Sequence, residues 1–173
     1  MRLSVQPLIA APRIQRRIAE LGAQIRGDYA GRDLVLVVLL KGAVIFAADL
    51  MRRLDNNVSV DFLRAASYDG MRSTGEVTVR TIPETPLSGR HVLLVEDILD
   101  TGRTLAAAQQ WVRTQKPASL ASIALLDKPA RREVEARAEY TGFTIDDHFV
   151  VGYGLDYNQH YRQLDSIYVL EAE

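Results

Sequence analysis

The sequence predicts an α/β fold built around a mostly parallel β-sheet. Apolar runs of strand length alternate along the chain with segments of helical periodicity, which is typical of repeated βα units. The run from Leu34 to Leu40 is apolar at every position, as expected of a strand covered on both faces. In such sheets ligands bind beyond the carboxyl ends of the strands, so polar residues that follow the apolar runs are candidate site residues.

Each element follows from its local pattern. Apolar residues at helical spacing, with Pro12 near the start, predict a first helix over residues 12–26. The other predicted elements, in chain order, are a strand over 34–40, a helix over 44–54, strands over 58–63, 76–81 and 91–95, a helix over 105–112 and a strand over 119–126. Residues 64–75 contain two glycines and predict a loop, and residues 144–170 predict an irregular region with short strands.

The composition excludes several classes of protein. The 173 residues are enough for one domain, and 47% hydrophobic with 25% charged residues is ordinary for a globular chain. A net charge of −1 offers no broad attraction for nucleic acid or an anionic membrane, and the absence of cysteine excludes disulfides and thiolate metal sites. The longest apolar run is too short to span a bilayer, and residues 1–7 lack the apolar core of a signal peptide. We therefore expect a cytoplasmic protein with no nucleic-acid or membrane partner.

The most informative segment is residues 95–105, which read Val-Glu-Asp-Ile-Leu-Asp-Thr-Gly-Arg-Thr-Leu. An apolar strand leads into Glu96, Asp97 and Asp100, and a short polar loop then opens a helix. The unpaired N–H groups of a helix N-terminus suit a phosphate, and adjacent carboxylates can accept hydrogen bonds from paired hydroxyls. An ordinary βα turn, with Thr101 or Thr104 as the N-cap, is the plainer interpretation. Three carboxylates at a strand end are costly without a partner, which favours a pocket for a phosphorylated sugar or a metal.

The same segment resembles the phosphoribosyl-pyrophosphate signature of type I phosphoribosyltransferases, and more narrowly of the hypoxanthine-guanine branch. Adenine and orotate enzymes share the acid pair and the Thr-Gly loop. The choice of branch therefore rests on Leu40-Lys41-Gly42, Ser67-Tyr68, Asp127-Lys128 and residues 149–157, which occur in the order that this branch uses. The resemblance covers nearly the whole chain from about Leu34. It implies one domain over 1–173 with the type I phosphoribosyltransferase fold, in which the N-terminal segment and about 144–173 form a small hood over the base.

The resemblance implies transfer of the 5-phosphoribosyl group from phosphoribosyl pyrophosphate to hypoxanthine or guanine, giving IMP or GMP plus pyrophosphate, with Mg²⁺ as cofactor. Glu96 and Asp97 would hold the ribose hydroxyls directly or through the metal, and Asp156 would lie near a second metal and the base. Asp100 would act as general base on the N7 side of the purine. The 5′-phosphate would be wrapped by Asp100, Thr101, Gly102, Arg103 and Thr104.

The remaining roles are implied in the same way. Pyrophosphate would bind to Leu40, Lys41 and Gly42, often with a cis peptide before the lysine, and to Arg162, while Ser67 and Tyr68 would belong to a lid that closes over it. The purine would meet four residues: Lys128 at O6, Phe149 by stacking, Val150 through its backbone, and Asp156. His91 and His160 lack a metal-ligand spacing, so no zinc or iron site is expected. His148, beside Phe149, is more often a structural or exposed residue and receives no chemical role.

Three questions stay open at this stage. A regulator that keeps the fold and senses phosphoribosyl pyrophosphate or nucleotides is the alternative from another class, but it would tend to lack Asp100 or Lys128, or to carry a basic surface. An enzyme for xanthine or adenine would differ only in its base. The resemblance implies a homodimer or homotetramer, and the sequence does not give the preference between hypoxanthine and guanine.

Overall fold

The computed structural model describes residues 2–54, 57–67, 77–81 and 83–171, without the side chains of 65–67 and 77–81. The elements, in chain order, are β1 (Arg2–Leu3), α1 (Ala11–Asp28), β2 (Leu34–Leu39), α2 (Val44–Met51), β3 (Val58–Ser67), β4 (Val77–Thr81), β5 (His91–Leu99), α3 (Arg103–Thr114), β6 (Ser119–Asp127), a 3₁₀ turn (Pro129–Arg131), β7 (Tyr140–Thr144), β8 (Val150–Val151) and β9 (Tyr168–Glu171).

A six-stranded sheet in the order β4-β3-β2-β5-β6-β7 forms the centre of the molecule. All neighbouring pairs are parallel except β3 and β4, so the predicted mostly parallel sheet is confirmed. Alternate residues of β2 enter two separate apolar clusters, one with α1 and α2 and one with α3. Because helices cover both faces, every residue of β2 is buried, which is the physical reason for its uninterrupted apolar run.

A second, three-stranded sheet in the order β1-β9-β8 joins the two ends of the chain. Both of its pairs are antiparallel, with Leu3 opposite Leu170 and Val150 opposite Val169. A further bridge between Ile9 and Ile167 continues the contact toward α1. The N-terminal segment is therefore attached to the C-terminal region, and Val150 of β8 belongs to the apolar cluster on one face of the main sheet.

Several predicted boundaries were wrong. Strand β5 runs to Leu99 rather than ending at 95, because Glu96 and Leu99 still pair with β6 and so place the acids within the strand. Strand β3 includes 64–67, predicted as loop, because β4 pairs with it in antiparallel fashion. Helix α2 ends three residues early, and α3 extends the predicted helix in both directions. Strand β7, which pairs with β6, was not predicted. It contains Gly142, and a Cβ at that position would lie 2.3 Å from the Leu125 carbonyl oxygen of β6.

Candidate active site

The candidate site is a cleft of about 320 Å³ at the carboxyl ends of β5 and β6, closed on one side by the segment around β8. This is where an open α/β sheet presents its ligand site. Ten residues line the cleft: Asp97, Ile98, Asp100, Lys128, Arg131, Asp147, Phe149, Val150, Leu155 and Asp156. Six of them were predicted as site residues, and the structure brings these together from positions far apart in the sequence.

The adjacent acids Glu96 and Asp97 occupy different positions. Asp97 lines the cleft and its Oδ1 accepts a hydrogen bond from the Ile98 N–H at 2.9 Å. Glu96 is 7% exposed and does not line the cleft. Burial raises the pKa of the Glu96 carboxyl well above its ordinary value and the charge of Asp97 raises it further, while burial also raises the pKa of Asp97. Ionising both carboxyls is costly when no ligand is present. The pair is therefore suited to bind a cation or to accept hydrogen bonds from hydroxyl groups.

Asp100 lies just after β5 and is linked to Asp147 through Arg131, two residues that the sequence did not single out. Arg131 Nε lies 3.1 Å from Asp100 Oδ1, and Arg131 Nη1 lies 3.7 Å from Asp147 Oδ1. The same Asp147 oxygen is 3.9 Å from the Lys128 ammonium. The proposed base is therefore the first member of a chain of alternating charges that crosses the cleft to Lys128.

Helix α3 begins at a glycine rather than at a threonine cap. Gly102 is the N-cap with φ +87°, and no side chain provides a cap hydrogen bond. Thr101 Oγ1 accepts only a long 3.4 Å bond from the Arg103 N–H, so the plainer interpretation, with Thr101 or Thr104 as N-cap, is wrong. The Thr101 carbonyl oxygen accepts bonds from the N–H groups of 133 and 134, which fixes the loop from outside. The first turn of α3 thus keeps the N–H groups that suit an anion.

The loop after β2 packs directly against the acids. The Leu40–Lys41 peptide is cis, as the resemblance implied. A Cβ added at Gly42 would lie 1.6 Å from Asp97 Oδ2, so no larger residue fits there while Asp97 keeps its place. A Cβ added at Gly154 would lie 2.1 Å from the Gly42 carbonyl oxygen, so the C-terminal region also packs on this loop. The glycines allow three segments to meet at the strand ends.

The polar residues beside this loop form a hydrogen-bonded group. Lys41 Nζ donates to Gln159 Oε1 at 3.2 Å, and Arg162 donates to the same oxygen at 3.3 Å. Arg162 also lies 2.7 Å from Asp156 Oδ1 and donates to the Gly154 carbonyl oxygen at 2.7 Å. Two predicted pyrophosphate residues, Lys41 and Arg162, are thus connected through Gln159, which the sequence did not single out.

The predicted purine residues surround the other part of the cleft. Lys128 is only 5% exposed, although its ammonium is charged. Phe149 is 51% exposed and meets Tyr157 edge to face, with ring centroids 5.8 Å apart. Val150 is buried in β8. An exposed aromatic ring and a buried cation that line the same cleft suit a flat, polar ligand.

Two predictions concern the lid. Ser67 is the last residue of β3, but its side chain is not described, and Tyr68 lies outside the described residues. Their proposed contact with pyrophosphate therefore stays a prediction.

Within residues 2–54, 57–67, 77–81 and 83–171, no three side chains of the types His, Cys, Asp and Glu form a group that could hold a metal ion. Asp156 is therefore not grouped with Glu96 and Asp97. Its carboxylate pairs with Arg162 and accepts a hydrogen bond from the Gln159 N–H. Over the same part of the chain, no helix has the length and apolar character needed to cross a membrane.

The cleft and its residues can be compared with known proteins. A family model described as Phosphoribosyl transferase domain matches residues 4–158. The chain belongs to the phosphoribosyltransferase family. The hypoxanthine phosphoribosyltransferase of Escherichia coli K12 is 46% identical to this phosphoribosyltransferase over 170 residues, which cover 96% of each chain. The hypoxanthine-guanine phosphoribosyltransferase of Streptococcus pneumoniae is 43% identical over 167 residues, covering 96% of this chain and 93% of that protein.

Solved structures confirm the predicted type I phosphoribosyltransferase fold. The crystal structure of a hypoxanthine phosphoribosyltransferase from Staphylococcus aureus matches with a TM-score of 0.91 and 43% identity, over 96% of this chain and 91% of that chain. A hypoxanthine-guanine phosphoribosyltransferase from Bacillus anthracis matches with a TM-score of 0.92 and 38% identity, over 99% of this phosphoribosyltransferase and 100% of that chain.

Proposed function

We propose that this phosphoribosyltransferase serves purine salvage. It transfers the 5-phosphoribosyl group from phosphoribosyl pyrophosphate to hypoxanthine or guanine and yields IMP or GMP plus pyrophosphate. The observation that carries the proposal is one cleft lined by Asp97, Asp100, Lys128 and Phe149, next to a helix start without a side-chain cap. Relatives named hypoxanthine or hypoxanthine-guanine phosphoribosyltransferase, at 43–46% identity, support it.

The sugar and its 5′-phosphate bind at the start of α3. The backbone N–H groups of the first turn and the hydroxyls of Thr101 and Thr104 receive the phosphate, with Gly102 and Arg103 completing the loop from Asp100. The positive end of the α3 macrodipole adds to this attraction. Asp97 accepts hydrogen bonds from the ribose hydroxyls, and Glu96 supports it from within the strand.

The acid pair also fits Mg²⁺. Its donors are carboxylate oxygens, the ligands that Mg²⁺ prefers, and a neighbouring cation would offset the cost of ionising two buried acids. Mg²⁺ is commonly held by one or two carboxylates together with substrate phosphates, so a protein site of two acids is sufficient. Glu96 and Asp97 would hold this ion, and Asp156 a second. When bound, Mg²⁺ makes the departure of pyrophosphate easier by neutralising charge on its oxygens.

The base binds between Phe149 and the end of β6. The exposed Phe149 ring stacks on the purine, Lys128 donates to O6, and the Val150 backbone and Asp156 meet the remaining edge. Asp100 lines the same cleft and takes the proton from the N7 side as the bond to C1′ forms. Leu40, Lys41, Gly42 and Arg162 receive pyrophosphate, and the lid with Ser67 and Tyr68 closes over it and excludes water.

Purified protein should convert hypoxanthine and phosphoribosyl pyrophosphate into IMP and pyrophosphate in equal amounts when Mg²⁺ is present. Chelation of Mg²⁺ should abolish the conversion, and added Mg²⁺ should restore it. Chromatography of the nucleotide with an enzymatic assay of pyrophosphate measures both products. Binding of the sugar substrate without any nucleotide product would support the regulator instead.

Replacement of Glu96 and Asp97 together by alanine should weaken binding of phosphoribosyl pyrophosphate with Mg²⁺ more than binding of guanine. In this proposal the two acids serve the sugar and the metal, Asp97 directly and Glu96 from within the strand, so the contacts to the base survive. Calorimetric titration with each ligand measures the two changes. The matched control removes Glu20 and Asp33, two exposed acids away from the cleft, and should change neither affinity. Equal weakening for both ligands would show that the acids are structural.

Replacement of Gly42 by alanine should raise KM for phosphoribosyl pyrophosphate by about tenfold or more, because the new methyl group displaces Asp97. The control is Gly27→Ala in α1, where a Cβ meets no atom within 4 Å and alanine is the better helix former. That variant should keep its kinetics and melt at the same or a higher temperature. Steady-state kinetics and thermal melts test both, and unchanged kinetics in Gly42→Ala would contradict the close packing.

We also propose that residues 1–173 act as one domain in the cytoplasm, with β1, β8 and β9 as the hood over the base. A homodimer or homotetramer is the proposed assembly. Three large apolar side chains on α2 and β3 support it, since 39–41% of their surface is exposed: Val44, Met51 and Phe62.

A further inference from the structure

We propose that Arg131 is a positioning residue for Asp100: it orients the carboxylate so that one oxygen faces the purine during proton transfer. The inference rests on the proposed function, in which Asp100 is the general base. It concerns a residue that composition and spacing did not indicate, and it gives the 3₁₀ turn after β6 a part in the reaction.

The first observation is the state of the two Asp100 oxygens. Oδ1 is closed off from solvent and accepts no hydrogen bond from the described residues, yet the Asp100 side chain as a whole is 35% exposed. Its exposure therefore belongs to the rest of the side chain, which leaves Oδ2 as the oxygen that can face the cleft. The Arg131 Nε lies 3.1 Å from Oδ1 and supplies the positive charge beside it. Without Arg131, Oδ1 would be a buried carboxylate oxygen with no neighbouring positive charge, which is unfavourable. The carboxylate would then rotate to bring this oxygen to solvent.

The second observation is that Arg131 is itself held in place. Its backbone N–H donates to the Lys128 carbonyl oxygen at 3.1 Å, and the backbone N–H of Lys128 donates to the Leu99 carbonyl oxygen at 2.9 Å. On the far side, Asp147 Oδ1 lies 3.7 Å from the Arg131 guanidinium. The guanidinium is thus bracketed by a carboxylate on each side, which restricts its rotamers and makes it a defined support for Asp100.

The contribution should concern the rate and not the stability of the fold. Arg131 is 47% exposed, and ion pairs of that exposure contribute little to folding. A general base, however, must lie within hydrogen-bond reach of the proton it removes, and a third group that orients the base is a recurring part of such sites. Small misplacements of a catalytic group cost up to about a hundredfold in rate.

A double-mutant cycle tests the inference. Arg131→Met should lower kcat with guanine by about ten- to a hundredfold, with KM for phosphoribosyl pyrophosphate within about threefold of the parent and an unchanged melting temperature. In the Asp100→Asn background the same change should lower kcat by less than about twofold, because the residue acts through Asp100. Arg131→Lys, which keeps the charge, should recover part of the loss, and Arg113→Met on the exposed end of α3 should have no effect.

The outcomes distinguish failure of the positioning role of Arg131 from failure of the proposed function. An equal loss of kcat in both backgrounds, no loss at all, or a gain in kcat would overturn the positioning role. So would a loss that arises only through KM for phosphoribosyl pyrophosphate. Failure of the proposed function has a different signature: Asp100→Asn alone would then keep kcat within about threefold of the parent.

Discussion

Replacement of Asp100 by asparagine is expected to lower kcat with guanine by about 10²- to 10⁴-fold, the range that a positioned general base contributes. The amide is nearly isosteric with the carboxylate, and the side chain is partly exposed, so the fold should be retained. Asparagine cannot take the proton from the purine as its bond to C1′ forms. Steady-state kinetics with saturating phosphoribosyl pyrophosphate, together with a thermal melt, measure the two quantities.

Binding of substrates should change much less than kcat in the same variant. Asp100 acts in the transition state, so loss of the base lowers kcat and kcat/KM together. If kcat stays within about threefold of the parent at unchanged thermal stability, Asp100 is not the base. The backbone of the 5′-phosphate loop would then be the only contribution of this residue.

Replacement of Lys128 by methionine is expected to reduce kcat/KM for guanine sharply and to narrow the gap between guanine and adenine. Lys128 is 5% exposed, and its ammonium has three donors and no acceptor. Guanine and hypoxanthine present an acceptor at C6, whereas adenine presents a donor there, which cannot accept a hydrogen bond from the buried ammonium. A site built around such a hydrogen bond can reject the wrong group by roughly 10⁴-fold or more.

The measurement is kcat/KM for guanine and for adenine on the parent and on Lys128→Met. The matched control is Lys116→Met, an exposed lysine after α3, which should leave both values unchanged. Retention of full guanine selectivity in Lys128→Met, or a parent that prefers adenine, would show that another group reads C6. If guanine selectivity survives, Arg131, whose guanidinium has only donors and which lines the same cleft, would be the first group to examine.

The sequence predicted the main sheet because the signal for its strands is local. The run at Leu34–Leu40 is apolar at every position, and this composition alone predicts a strand whose two faces are both covered. The small sheet left no such signal, since β1 and β8 are two residues long and β1 pairs with β9 at the other end of the chain. The true end of β5 was also missed. Its pairing with β6 uses backbone hydrogen bonds, which polar residues such as Glu96 form as readily as apolar ones.

The site could be predicted where short motifs carry it and not where side chains meet across the fold. Asp97, Asp100, Lys128 and Phe149 lie in motifs that resemble the family, and the structure places them on one cleft. Arg131, Asp147 and Gln159 have no motif of their own, and their importance comes from distances to residues that the motifs do include. The N-cap of α3 was misassigned because Gly102 occupies that position with a positive φ, and no side chain caps the helix.

The most direct test of the account is a competition among four purines. Hypoxanthine, guanine, xanthine and adenine at equal concentration are incubated with the protein, Mg²⁺ and limiting phosphoribosyl pyrophosphate, and the nucleotides are resolved by mass. IMP and GMP are expected as the main products, with adenosine monophosphate lower by roughly 10⁴-fold because adenine presents a donor to the Lys128 ammonium. Adenosine monophosphate as the main product, or no nucleotide from any of the four bases, would contradict it.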